Sequence, residues 1–337
     1  MPACIRVLSL LLLFAVPCFA ADDEPLEEIV VTGEFTGPGL WRVTRPGDAS
    51  NHVLWIVGDP FALPKRMQWK SRDIEAIALG SQEILRDASV SMKPDEEIGV
   101  LRGLTLVPAL MKARKNPDDR TLEDLLPADL YARWVKQKEL YLRGTKGLED
   151  WRPLFAADRL RNRAFEKLGL RERGVVWDVI GKLVEKQKVP IHSPTIPFVI
   201  KRAEVRGKIK EFSRESLTDV ECFRATLDLT EALADRESVT ERAQAWARAD
   251  LPKLAALPPL PNPYLPCAMA VLGSQVAREV IPEDIRAQTE KLWVDTAIAS
   301  LDKNASTFAI VPLAKLTRAD GYLERLRAAG LEIAPPK

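Results

Sequence analysis

Histidine is almost missing from this chain: His52 and His192 are the only two in 337 residues. A catalytic zinc site takes three protein ligands, usually with histidine among them. Two histidines far apart in sequence, read as surface or capping residues, do not make such a set. Cysteine is scarce too, at four residues, and Cys4 and Cys18 fall within the first twenty. The remaining Cys222 and Cys267 have no histidine at ligand spacing, which argues against a thiolate metal centre. None of the 17 glycines falls in a Gly-x-Gly-x-x-Gly run, so the common phosphate-cradling loop is absent. No Gly-x-Ser-x-Gly supplies a serine nucleophile. An excess of one charge is also missing, since 49 Lys and Arg stand against 48 Asp and Glu. Without a basic excess there is no electrostatic drive toward nucleic acid. Beyond residue 20 no stretch approaches eighteen uninterrupted apolar residues, so no integral membrane helix is expected.

What is present begins with an address. Arg6 precedes an apolar run from Val7 to Val16, and Ala20 stands before Ala21-Asp22-Asp23-Glu24. This is the pattern of a secretory signal peptide over residues 1–20. Pro17 beside Cys18 argues against a lipoprotein anchor. In an exported, oxidising compartment Cys222 and Cys267 are expected to form a disulfide, two separate buried thiols being the alternative. Residues 21–38 read as an acidic flexible tail, with Asp22, Asp23, Glu24, Glu27, Glu28 and Glu34, closed by Gly37-Pro38-Gly39. A single domain is expected over 39–337.

Within that domain Leu40–Val43, a Pro46-Gly47-Asp48 turn and the apolar run Val53–Val57 predict a hairpin. Leu63-Pro64 and Met67–Trp69 read as a loop. Ser71 is placed to cap a helix over about 72–80, followed by a short strand at Glu83-Ile84-Leu85, giving a βαβ-like unit. Apolar residues at helical spacing dominate about 95–305. There Gly174–Val184 suits either a strand or a buried helix, and Pro190–Pro197 breaks the regular pattern. Strand character returns at Thr307–Val311 and near Leu331–Ile333, on either side of a helix around 321–329. The fold class is therefore α+β: a small mixed sheet built from both chain ends, surrounded by a mostly helical middle.

Two segments carry a resemblance. His52-Val53-Leu54-Trp55-Ile56-Val57-Gly58-Asp59-Pro60-Phe61 and Ser306-Thr307-Phe308-Ala309-Ile310-Val311-Pro312-Leu313-Ala314-Lys315 resemble the two strand-to-loop motifs of the TraB/GumN family, in the superfamily of Tiki-type metalloproteases. Members usually end each strand in Gly-x-x-His, and the two histidines meet at a divalent metal. In this chain Gly58 is kept, but Phe61 and Lys315 replace the histidines and Pro312 replaces the second glycine. The carboxylate that the family carries on the strand after the first helix has its nearest counterpart in Asp87. The Arg-Asn pair before the last tryptophan is replaced by Thr289-Glu290 ahead of Trp293. The resemblance implies one sheet holding both motifs, with Phe61 and Lys315 at the same edge. A phenyl ring offers a metal no lone pair, and an ammonium group is a donor only.

The residues therefore imply a degenerate site without metal or cofactor, with Asp59 and Trp69 as possible cleft residues. Lys315 is expected either to lie in solvent or to fill the metal's place by pairing with Asp59 or Asp87. Asp59 reads as a turn residue serving nearby backbone donors. The functional expectation is a non-catalytic exported protein of the Gram-negative periplasm, with an unidentified protein or envelope component as partner. The alternative is a metal-dependent hydrolase or protease using altered ligands.

Overall fold

The computed structural model describes Glu28, Ile29, Val31 and residues 37–336. The expected signal peptide lies outside the described residues, as does most of the acidic tail. The strands are β1 (Leu40–Thr44), β2 (Val53–Asp59), β3 (Leu63–Pro64), β4 (Glu83–Arg86), β5 (Ser89–Pro94), β6 (Leu170–Arg171), β7 (Ile191–His192), β8 (Thr195–Ile200), β9 (Ser306–Pro312) and β10 (Glu332–Ala334). Six of them form one mixed sheet in the order β10-β1-β2-β9-β4-β7. β1 is antiparallel to β2 and to β10, while β2, β9, β4 and β7 run parallel. The α+β class and the joining of both chain ends in one sheet are as the sequence implied. β2 and β9 pair along their whole length, from Val53 opposite Ser306 to Asp59 opposite Pro312.

The alternation of side chains along these strands divides the core. Leu54, Ile56, Ala309 and Val311 face Trp293, Tyr322 and Leu326, which come from the helices Ile285–Lys303 and Tyr322–Ala328. Val57, Ile84, Phe308 and Ile310 face Ile74, Val176, Ile180 and Trp246, from helices Arg72–Gly80, Val175–Gln187 and Arg236–Ala247. With both faces covered, β2 and β9 read as continuous apolar runs. A third cluster is mostly helical in origin, around Trp134, Leu160 and Phe223. Cys222 and Cys267 are bridged there, with Cα atoms 4.4 Å apart, tying helix Val220–Ala232 to helix Tyr264–Leu272.

Four local readings change. Ile29 and Val31, in the segment read as a flexible tail, are buried in the core, and Ile29 N–H donates to Leu168 O at 3.1 Å. Apolar side chains in an otherwise acidic stretch have docked instead of remaining solvated. Ser71 sits at the start of its helix, but its hydroxyl makes no cap and turns to the Glu75 carboxylate. Leu63-Pro64 is a short strand paired with β6. Pro190–Pro197 does not merely interrupt regular structure, because β7 and β8 occupy much of it, with Pro197 tolerated on the exposed face of a strand in a two-stranded ribbon. The open choice at 174–184 resolves as helix.

Candidate functional site

The parallel strands β2, β9 and β4 end at one edge, and the expected site residues are distributed along it. Gly58 is the penultimate residue of β2. A Cβ on it would lie 2.5 Å from Leu313 Cδ1 and 3.3 Å from Leu313 Cα, so glycine is retained here for close packing. Its carbonyl accepts from Trp246 Nε1 at 2.9 Å, and Trp246 stacks edge-to-face on Trp69 at 5.5 Å. Trp69 is thus an anchor for the tryptophan that caps Gly58.

Asp59 ends β2 but does not serve its own turn. Its carboxylate accepts from Gly174 N at 2.6 Å and Val176 N at 3.4 Å, satisfying free N–H groups at the start of helix Val175–Gln187. Burial raises the Asp59 carboxyl above the ordinary value, a shift the two backbone donors oppose. Two residues on, Phe61 turns into the helical cluster and meets Phe165 and Tyr264 edge-to-face, at 5.6 and 6.0 Å. An apolar ring in apolar company gains by burial what a ligand would have gained from a metal.

At the end of β9, Pro312 precedes the short helix Leu313–Thr317, its fixed φ suiting a helix start. Lys315 lies on that helix. Its Nζ is 2.7 Å from Asp87 Oδ2, just past the end of β4. The other Asp87 oxygen accepts from the Tyr322 hydroxyl at 2.8 Å. Tyr322 is fully buried and stacks on Trp293 at 4.0 Å. Burial first, and then the Asp87 charge, push its phenol well above the ordinary range, so it remains a donor. The solvated alternative for Lys315 does not hold, because the ammonium fills a place between strand ends and is bound to a carboxylate.

Charges alternate along this edge. Arg86 follows Asp59 and precedes Asp87, with its guanidinium 4.2 Å over the Trp177 ring. Burial lowers the Arg86 pKa, and the charges of Asp59 and Asp87 oppose that fall. Behind the edge, Glu290 is almost completely buried and receives Arg318 Nη2 at 2.6 Å, Arg325 Nη2 at 3.0 Å and Arg286 Nε at 3.0 Å. Burial alone would raise its carboxyl, but the hydrogen bonds from Arg318 and Arg286 outweigh that and hold it low.

Neither histidine joins this group. His52 Nδ1 lies 3.0 Å from Leu301 O, ahead of β2, and His192 Nδ1 lies 3.3 Å from Glu83, which also accepts from Ser300 and Asn304. Among the described residues no three His, Cys, Asp or Glu side chains gather into a metal-ligand set. The residues at the motif ends do not fit a divalent ion. One is a packed phenyl ring, and the other is a cation already holding the nearest carboxylate. Sequence reasoning missed Arg86 and Tyr322 as members of the site.

The TraB/PrgY/gumN family model matches residues 39–335, nearly the whole chain. Comparison with curated proteins and with solved structures returned no match.

Proposed function

Since the chain belongs to the TraB/PrgY/gumN family, we propose that it is an exported pseudoenzyme, with a binding or accessory role in the cell envelope of a Gram-negative bacterium. The observation that carries this reading is the Lys315–Asp87–Tyr322 cluster. A cation at 2.7 Å from Asp87 neutralises the carboxylate and leaves it no reason to recruit a dication. Phe61, packed on Phe165, supports the same reading from the other motif. The signal-peptide pattern at residues 1–20 supports export to the periplasm.

A hydrolase with altered ligands would have to use Asp59 or Asp87. Asp59 is engaged by a helix start, and Asp87 by Lys315 and Tyr322. The test is peptide and ester hydrolysis measured with added zinc, manganese or cobalt. Turnover equal to that of an Asp59→Asn/Asp87→Asn double variant is expected. Metal-stimulated turnover that this double variant abolishes would establish the enzyme instead.

A further inference from the structure

The β4–β7 pair does not stop at the edge of the sheet. β5 begins three residues after β4 ends, β8 begins three residues after β7 ends, and β5 and β8 pair in parallel from Ser89 opposite Thr195 to Pro94 opposite Ile200. The result is a separate two-stranded ribbon, about 20 Å long, leaving the sheet on the side where Asp87 lies. No residue of either strand is fully buried. An isolated two-stranded ribbon is marginal in water. This one also has a wholly apolar face: Val90, Met92 and Pro94 stand opposite Ile196, Phe198 and Ile200.

At the far end of the ribbon the chain enters two helices packed on each other, Val100–Ala113 and Val205–Arg214. The first carries a stripe of Leu104, Val107, Leu110 and Met111 at helical spacing, each between 47 and 61% exposed. So large an apolar surface on one extension marks a binding face.

Charge selects the occupant. Segments 89–114 and 195–214 hold ten Lys or Arg against five Asp or Glu, a net +5, whereas the whole chain sums to +1. Lys112, Arg206 and Lys210 are exposed on the two helices. Exposed apolar side chains on an extension that also carries exposed basic ones match an anionic membrane surface, where the apolar groups enter the interface and the cations meet lipid phosphates. A second copy meeting this one face to face would set +5 against +5.

We propose that the ribbon and its helix pair form a docking surface for phospholipid membrane rich in anionic headgroups. This goes beyond the proposed accessory role and is independent of whether the Lys315–Asp87 site is catalytic.

The test is flotation of the protein, in the form recovered from cells, with vesicles of phosphatidylglycerol and phosphatidylethanolamine or of phosphatidylcholine alone. Variants share the wild-type N-terminus, so any contribution from the first twenty residues cancels. Binding to the anionic vesicles that weakens with salt is expected, with little binding to phosphatidylcholine. Lys112→Glu and Lys210→Glu should each weaken binding at least fivefold, the equivalent of about 1 kcal/mol per basic group. Leu110→Asp/Met111→Asp should remove it; circular dichroism checks folding, and the two charge reversals stand as tests if that variant does not fold. Unchanged binding in the folded variants overturns the proposal. So does absence of vesicle binding together with a dimer, seen by light scattering, that Leu110→Asp disrupts, which would assign the face to a second copy.

Discussion

Lys315 and Asp59 show how one edge of a sheet is held together by charges bound within the protein. Lys315 places its ammonium on one Asp87 oxygen, and Tyr322 takes the other. Truncating either partner leaves a half-buried carboxylate short of a donor. Lys315→Met and Tyr322→Phe should therefore each cost about 1–2 kcal/mol in urea unfolding, with non-additive effects when combined. Asp59 differs in sign. Its folded pKa lies above the ordinary value because of burial, so the folded chain binds this proton more readily than the unfolded one. Stability from this group falls as pH rises from the ordinary carboxylate range through the raised folded value, and the cost is fully present above that value. Asp59→Asn retains an acceptor for the Gly174 N–H and removes the charge. Melts across pH 3.5 to 7 should show the variant gaining on the wild type as pH rises. A constant difference would place the Asp59 charge outside the energetics. The partners of these residues were beyond reach of sequence reasoning, because Asp59 serves a helix start 115 residues away and nothing local announces it.

Elements were legible where burial imposes a period. β2 and β9 lie between two covered faces, so their unbroken apolar runs announced them. The β5–β8 ribbon was not, because none of its residues is fully buried and Pro197 stands in the middle of β8. The tail was misread for the converse reason: Ile29 and Val31 are anchored in the core within an acidic stretch. The disulfide binds two helices of the helical cluster across a separation of 45 residues. The chain-entropy model gives it about 4 kcal/mol. Cys267→Ser, or reduction, should lower denaturant stability by an amount of that order while leaving the folded circular dichroism unchanged. A loss below about 1 kcal/mol would mean that helical packing alone fixes Cys222 and Cys267 together.

At the scale of the whole molecule the α+β class, the family and the joining of both chain ends in one sheet were readable from the chain, because they depend on strands whose sequence is dictated by burial; the strand order was not, since β7 lies in a segment that read as a break. The Lys315–Asp87–Tyr322 cluster depends on pairings between β4, β9 and the closing helix, and only the assembled edge reveals it. The central claim is that this edge is filled by its own side chains, Phe61 in apolar contact and Lys315 on Asp87. Elemental analysis of protein purified without chelators tests it most directly. Zinc, manganese, iron, cobalt, nickel and copper together should fall well below one atom per chain, unchanged by Asp87→Ala. One stoichiometric metal, lost on replacing Asp59 or Asp87 with alanine, would contradict the account and restore the enzyme reading.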